Sequence, residues 1–161
     1  MAFLSALRIA GSALTAQRLR TDVIANNVAN MNTTRTPEGG PYQRQQVVFA
    51  ARQERTPFRS FLLANVPGLS AALRAQVAQD VERQIGSGVQ VAAVGSDGRP
   101  GKRVYEPDHP DADAEGFVEY PDIDLVTEMA DMLSATRAYE ANVTSLNAAK
   151  AMAMKALEIG R

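Results

Sequence analysis

The C-terminal segment constrains the fold of this chain more than any other feature of its sequence. After Pro121 there is no further proline, and the next glycine is Gly160. Because these two residue types interrupt helices, the segment between them is free to form one long helix, on the order of 50 Å at ~1.5 Å per residue. Mostly apolar residues recur there at spacings of four and three, which is the heptad pattern of a coiled-coil seam. The seam comprises Leu125, Met129, Met132, Thr136, Tyr139, Val143, Leu146, Lys150, Ala153 and Leu157.

The N-terminal segment, from Phe3 to about Met31, predicts a second helix. It contains no proline and a single glycine, Gly11. Apolar or small residues recur at spacings of three and four, which defines one helix face. The segment ends in asparagines, which are poor residues for a helix interior because the side-chain amide competes for backbone groups. This asparagine cluster comprises Asn26, Asn27, Asn30 and Asn32.

Short strands are predicted between the two helices. A break rich in proline and glycine at 37–41 precedes a strand-like run at 42–49. A second strand is predicted near 89–93, with residues 104–105 as its returning partner after a turn at 96–101, and a further strand at 117–120. Leu69, Leu73, Val77, Val81 and Ile85 repeat every four residues, and they predict a short amphipathic helix.

The predicted fold class is mainly α. Long N- and C-terminal helices, in residues 1–34 and 122–161, are expected to form a coiled coil. Residues 35–121 are expected to form a small β-rich middle region with an inserted short helix at about 66–86. The N-terminal helix contributes mostly alanine, which buries little apolar area. We therefore expect both helices to need neighbouring molecules before they are fully ordered.

Composition excludes several classes of function. The chain has no cysteine, which excludes a thiol catalyst, a Cys-ligated zinc site and a disulfide framework. Its net charge is −1 and it has no basic block, so no nucleic-acid partner is expected. No apolar run approaches the ~20 residues that span a membrane, so direct membrane insertion is not expected either. The N-terminus lacks a basic lead and a small-residue cleavage site, and any export is therefore expected to leave it uncleaved.

Two features of the acidic loop near 109–116 resemble chemical sites, and both have simpler interpretations. Four residues match positions 1, 3, 5 and 6 of a calcium-binding loop, but the twelfth position is Asp122 rather than Glu, and prolines at both ends oppose flanking helices. The single histidine, His109, lies near no nucleophile pattern, which favours a surface position. We therefore predict no catalytic residue, no cofactor and no metal site. The calcium-like positions are Asp111, Asp113, Glu115 and Gly116.

Several motifs occur in an order that resembles the flagellar axial family of rod and hook proteins. Residues 25–30, Ala-Asn-Asn-Val-Ala-Asn, are similar to the (S/N)-N-(L/V)-A-N motif of that family. Segments 41–49, 104–118, 121–126 and 134–143 look like those of a proximal-rod member. The resemblance covers about residues 1–50 and 89–161. The segment at about 52–86 departs from the family pattern as an insert, and its apolar face is expected to be a docking surface or a local lid.

The resemblance implies a structural subunit of the proximal rod of the bacterial flagellar basal body. Such a subunit self-assembles with copies of itself and other flagellar rod subunits into a helical tube that transmits torque and encloses the export channel. Its implied partners include the membrane-ring and export-gate base and the flagellar type III export apparatus, and its implied location is the periplasmic rod. A soluble coiled-coil adaptor or secretion chaperone is the alternative, and it would close as a small oligomer rather than form an open array. An enzyme is the least favoured class, because the sequence shows no convergent set of catalytic groups.

The expected assembly interface combines the two helix seams with the asparagine cluster. Asparagine amides both donate and accept hydrogen bonds, so they are able to cap a helix or fix the register of a packed contact. The sequence leaves these roles and simple fraying open, and the family resemblance favours the contact. The interface residues expected are Leu7, Leu14, Ile24, Asn26, Asn27, Val28, Asn30, Leu125, Met129, Met132, Tyr139, Val143, Leu146 and Leu157.

Overall fold

A computed structural model describes residues 2–52 and 88–159 of the chain. The short helix predicted at about 66–86 lies outside the described residues. Within these residues, a long helix comes first in the chain, four strands follow, and a second long helix comes last. These elements are α1 (Ala2–Ala29), β1 (Gln45–Ala51), β2 (Val89–Ser96), β3 (Lys102–Tyr105), β4 (Phe117–Tyr120) and α2 (Leu125–Ile159).

Each helix has a definite boundary where the sequence supplies capping groups. Asp124 caps α2, because its carboxylate accepts the backbone N–H groups of Val126 (3.2 Å) and Thr127 (3.3 Å). At the other boundary, the Asn30 side chain donates to the Asn26 carbonyl (2.9 Å) just beyond the last residue of α1. The asparagine cluster therefore lies at the end of α1, as predicted.

The strands of the described residues form two separate two-stranded antiparallel sheets. β1 pairs with β2 from Gln45–Ser96 to Ala51–Val89, and a register shift after Val48 leaves one residue of β2 unpaired. β3 pairs with β4. The prediction that residues 104–105 return along the 89–93 strand was therefore wrong. In the β3–β4 register Val104 lies opposite the fully buried Val118, a contact that pairing with β2 would not provide.

The helices pack against each other in antiparallel orientation, and α1 also packs on β1 and β2. Arg20 of α1 bonds Asp131 of α2 (2.9 Å), while Asn27 further along α1 bonds the earlier Glu128 (3.1 Å). The apolar core between these elements consists largely of small side chains. Its buried members are Ala10, Ala16, Val23, Ile24, Ala135 and Ala149, while Val118 is buried in the separate β3–β4 sheet.

The prediction of a mainly α fold organised by a coiled coil was wrong, because the fold is mixed α/β and contains two sheets. The face of α2 that packs on α1 overlaps the predicted seam only in part. Glu128, Ala135 and Ala149 lie outside the seam and are buried, whereas Met132, Val143 and Leu146 of the seam are half-buried and Met129 is 62% exposed. Alanines allow close approach of the two helices, and large apolar residues such as Val126 and Met129 are left outside instead of filling knobs-into-holes positions.

Candidate functional site

The Asn27 side chain is almost completely buried and uses its full hydrogen-bonding capacity. Its Oδ1 accepts the backbone N–H of Gln45 (2.9 Å) and the hydroxyl of Tyr42 (3.1 Å). Its Nδ2 donates to the Gln45 carbonyl (2.9 Å) and to Oε2 of Glu128 (3.1 Å). The amide therefore bonds both backbone groups of the first residue of β1, as a neighbouring strand would. Aspartate, which lacks the donor, and leucine, which lacks both functions, cannot reproduce this set.

Glu128 lies in the first turn of α2 and is fully buried. Its Oε1 accepts a hydrogen bond from Nε of Arg44 (2.7 Å), and Nη2 of the same guanidinium also contacts it. A buried carboxylate is tolerated only when it is paired and hydrogen-bonded, and Arg44 and Asn27 provide both conditions. The location in a first helical turn adds a favourable interaction with the helix dipole. We call Asn27, Tyr42, Arg44 and Glu128 the polar junction.

Ion pairs extend the polar junction to two further segments. Arg44 approaches Asp97, just after β2, and Asp131 of α2, each at 3.7 Å. Asp131 in turn pairs with Arg20 of α1 at 2.9 Å. The group of charges thus links both helices with the end of the β1–β2 sheet at which Gln45 pairs with Ser96. Residues far apart in sequence must all be in place before these buried charges are compensated.

Tyr42 has an electrostatic environment that follows from its position in the junction. Burial raises the pKa of its hydroxyl, and the nearby negative charge of Glu128 raises it further. The neutral hydroxyl is therefore retained as the donor to Asn27.

The acidic loop between β3 and β4 is organised by hydrogen bonds within the protein. Asp113 accepts the backbone N–H groups of Phe117 and Glu115, each at 2.9 Å, and pairs with Arg103 at 2.8 Å. These bonds, led by that from Phe117, lower the pKa of the Asp113 carboxyl. Thr34 donates to Asp111 at 2.8 Å and connects the loop to the segment that follows α1. Two of the calcium-like positions thus hold the loop in place through protein groups.

Large apolar side chains are exposed on the side of α2 that faces away from α1. Val126, Met129 and Leu133 are 74%, 62% and 53% exposed. Seven residues, about two helical turns, separate Val126 from Leu133 and likewise Glu128 from Ala135, so the members of each pair share one side of the helix. Val126 and Glu128 are two residues apart, which is about half a turn, so the two sides are roughly opposite. We call Val126, Met129 and Leu133 the front patch. The front patch begins in the same helical turn that contains Glu128 of the polar junction.

The fourteen residues of the expected assembly interface fall into three groups in the subunit. Two are buried, Ile24 and Asn27, and Asn27 belongs to the polar junction. Seven are half-buried: Leu7, Leu14, Val28, Asn30, Met132, Val143 and Leu146. Five are exposed and free to contact another molecule: Asn26, Leu125, Met129, Tyr139 and Leu157.

Sequence reasoning missed three members of the polar junction: Tyr42, Arg44 and Glu128. A signal for one of them is visible in the sequence. Positions 128, 135, 142 and 149 are spaced by seven, and the glutamate is the single ionisable residue among them. The neighbouring seam had the larger apolar residues, which obscured this second stripe. Neither of the two described helices is long and apolar enough to cross a membrane.

Both ends of the chain match family models of flagellar basal-body rod proteins. Residues 7–35 match the family described as "Flagella basal body rod protein", and residues 114–159 match "Flagellar basal body rod FlgEFG protein C-terminal". The asparagine cluster and most of α1 lie in the first match, and all of α2 lies in the second.

Relatives named "Flagellar basal-body rod protein FlgC" are similar over nearly the whole length. The protein from Borreliella burgdorferi is 43% identical and the alignment covers 99% of this chain and 98% of the relative. That from Bacillus subtilis is 43% identical over 96% of each chain, and that from Escherichia coli O6:H1 is 40% identical over 100% of each. Since the alignments leave so little of either chain uncovered, the expectation that residues 52–86 are an insert was wrong for these relatives. With this identity over nearly its full length, the chain belongs to the FlgC family of flagellar basal-body rod proteins.

Proposed function

We propose that this rod protein assembles through its terminal helices with copies of itself and with other rod subunits. The product is a helical tube that transmits torque and encloses the export channel. Its role is structural rather than catalytic. The observation that carries the proposal is the front patch, which presents three large apolar side chains to solvent on a long helix. Exposed apolar surface of this kind is typical of a protein–protein contact.

The energetics of the front patch favour a subunit contact. Complete burial of a large apolar side chain is worth roughly 1.5 to 3 kcal/mol. Val126, Met129 and Leu133 are already partly covered, so a contact gains only part of this from each. The gain is still a few kcal/mol, and roughly every 2.8 kcal/mol strengthens the affinity a hundredfold. The polar junction fixes the first turn of α2, so the patch is presented without a further ordering cost.

A substitution at Leu133 tests the proposal. Leu133→Asp is introduced into the chromosomal copy of a motile strain, and Leu133→Met serves as the conservative control. Because Leu133 is half exposed in the subunit, we expect the aspartate variant to fold with little change in stability. In a subunit contact it would bury an unpaired carboxylate, so we expect loss of swimming and of rods in electron micrographs. Normal rods and swimming in a strain that produces folded Leu133→Asp would refute the proposal.

We further propose that the protein resides in the periplasmic rod and is exported by the flagellar type III apparatus without cleavage of its N-terminus. The base formed by the membrane ring and export gate is the proposed anchoring partner. Membership of a basal-body rod family supports this location. The test is the mass of the chain in purified basal bodies. A mass that includes residue 1, or lacks only the initiator methionine, is expected, and a mass shortened by a leader of 15 to 30 residues would contradict the proposal.

A further inference from the structure

The β1–β2 sheet has two strands in the described part of the chain, so each strand has one edge that no described strand pairs with. An unpaired edge presents backbone N–H and C=O groups to which a strand of another molecule can bond. α1 packs on both strands of this sheet. The contacts between α1 and the two edges therefore determine which backbone groups a second molecule can reach.

Asn27 occupies the free edge of β1 at the first residue of the strand. The N–H and C=O groups of Gln45 both bond the Asn27 amide, at 2.9 Å each, so they point away from β2. The preceding residue points the other way, because the Arg44 carbonyl accepts the N–H of Asp97 just after β2 (2.8 Å). This alternation is that of an ordinary antiparallel strand. An added strand would need the two groups of Gln45 that Asn27 already takes.

Ser12 occupies the free edge of β2, again at the first residue of the strand. Its Oγ accepts the N–H of Val89 (3.1 Å) and donates to the Ile9 carbonyl of α1 (2.7 Å). The preceding residue, Gly88, faces β1, since its carbonyl accepts the Arg52 N–H (2.8 Å). A Cβ on Gly88 would lie 2.3 Å from Ser12 Oγ, so glycine is what allows this close approach of α1.

Asn27 and Ser12 hold two diagonally opposite corners of the sheet. β1 begins at Gln45 and β2 at Val89, and because the strands are antiparallel these residues lie at opposite ends and on opposite edges. Fifteen residues separate Asn27 from Ser12 on α1, about 22 Å at ~1.5 Å per residue. The seven residues of β1 extend over a similar distance at ~3.3 Å per residue. α1 therefore spans the sheet from corner to corner.

The edge of β2 has the composition of a segment that pairs with copies of itself. Residues 89–96 contain no proline and no charged residue, and uncharged strands of this kind readily stack with identical strands. Val94 within this segment is 43% exposed. Ala92 has no partner on β1, so a bulge divides the edge into two short stretches. The stretch at the start of β2 is the one that Ser12 occupies.

We propose that α1 acts as an edge guard, in which Ser12 and Asn27 keep the β1–β2 sheet of a free subunit from adding the β2 strand of a second copy. The inference goes beyond the proposed function, since it concerns the subunit before assembly. Loss of either contact frees backbone groups at one corner of the sheet. Because each added strand presents a further edge, the pairing then continues from copy to copy and gives a fibre.

Ser12→Ala tests the edge guard, because Asn27 also belongs to the polar junction and its loss would affect the core. Thr15→Ala is the matched control, since it likewise removes a hydroxyl of α1 that bonds a carbonyl within the helix (3.1 Å to Gly11). Each purified full-length variant is held at the urea concentration that gives the same folded fraction, and association is followed by thioflavin T fluorescence. We expect Ser12→Ala to form fibres about fivefold faster than wild type, and Thr15→Ala to match wild type. Equal rates for the two variants would overturn the proposal.

Amide hydrogen exchange identifies the strand that pairs. In monomeric Ser12→Ala, the N–H of Val89 should exchange about fivefold faster than in Thr15→Ala, because it has lost its acceptor. In the fibres, residues 89–96 should be protected. Ala93→Lys places a charge at an exposed position of β2 and, added to Ser12→Ala, should return association to the wild-type rate. Fibres that leave β2 unprotected, or fast association of the double variant, would reject pairing through β2.

Discussion

Glu128 provides the most demanding test of the polar junction. Glu128→Ala removes the carboxylate from a fully buried position and leaves the Arg44 guanidinium and Asn27 Nδ2 without that partner. Removal of one member of a buried ion pair typically costs about 3–5 kcal/mol, because the remaining charge is uncompensated. A domain of ordinary size is stable by only about 5–15 kcal/mol. We therefore expect Glu128→Ala to unfold at far lower urea concentration than the wild type, or to be largely unfolded in buffer.

Two further variants separate charge from shape in this experiment. Glu128→Gln keeps the size of the side chain and one acceptor oxygen, so its expected cost is lower, at about 1.5–3 kcal/mol. Glu140→Ala makes the same glutamate-to-alanine change at an exposed position of α2, and its expected effect is within about 0.5 kcal/mol. The measurement is urea unfolding of the purified monomer, followed by circular dichroism and extrapolated to water. Equal free energies of unfolding for Glu128→Ala and Glu140→Ala would refute the account of the junction given above.

Three other predictions concern the glycines, the cap of α2 and the buried tyrosine. Gly88 has φ +103°, and a Cβ there would lie 2.3 Å from Ser12 Oγ, so Gly88→Ala should lower the free energy of unfolding by about 1–3 kcal/mol. The Cβ of Gly11→Ala on α1 would meet nothing within 4 Å, so this variant should be more stable by about 0.5–1 kcal/mol in the same unfolding assay. The Thr127 hydroxyl and the Val126 N–H lower the pKa of Asp124 below 3.8, so the ionised cap stabilises the folded state above that pH. In acid titrations followed by circular dichroism, the greater stability of wild type relative to Asp124→Asn should disappear as the pH falls through the lowered native pKa. Burial raises the pKa of Tyr42 above 10.0, so the stability that its hydroxyl contributes is complete below pH 10.0 and is lost as the pH rises through the higher native pKa. Ultraviolet titration of wild type and Tyr42→Phe should show that one late-titrating hydroxyl is missing from the variant.

The sequence predicted the helices well because their boundaries depend on local chemistry. Pro121 and the following aspartates mark the start of α2, and Asp124 is the residue that caps it. The asparagine cluster marks the end of α1 for an equally local reason. The strand segments were also recognised, although β1 begins at Gln45 rather than at Tyr42. Each of these features is determined by residues within a few positions of one another.

The packing was not predictable by the same rules, since it depends on residues distant in sequence. Periodicity alone favoured the stripe of α2 with the largest apolar residues as its contact face. In the structure the contact face is centred on the neighbouring stripe of alanines with Glu128, and Asn27 and Arg44 meet that carboxylate from other segments. The pairing of β3 with β4 likewise depends on the burial of Val118, which no local pattern indicates. Nothing in the sequence near 128 shows that its partners lie about a hundred positions away.

The polar junction explains how helices joined mainly through alanines adopt one register. Small residues such as Ala16, Ala135 and Ala149 fit one another in many alignments, so apolar packing alone discriminates weakly between them. A shift of α2 by fourteen residues would bring Ala149 to the place of Ala135 but would separate Glu128 from Asn27 and Arg44 and leave buried charge unpaired, at a cost of about 3–5 kcal/mol. Only the observed alignment satisfies the polar groups. Since the same alignment determines which side of α2 faces outward, the buried polar groups position the front patch through which we propose that rod subunits meet.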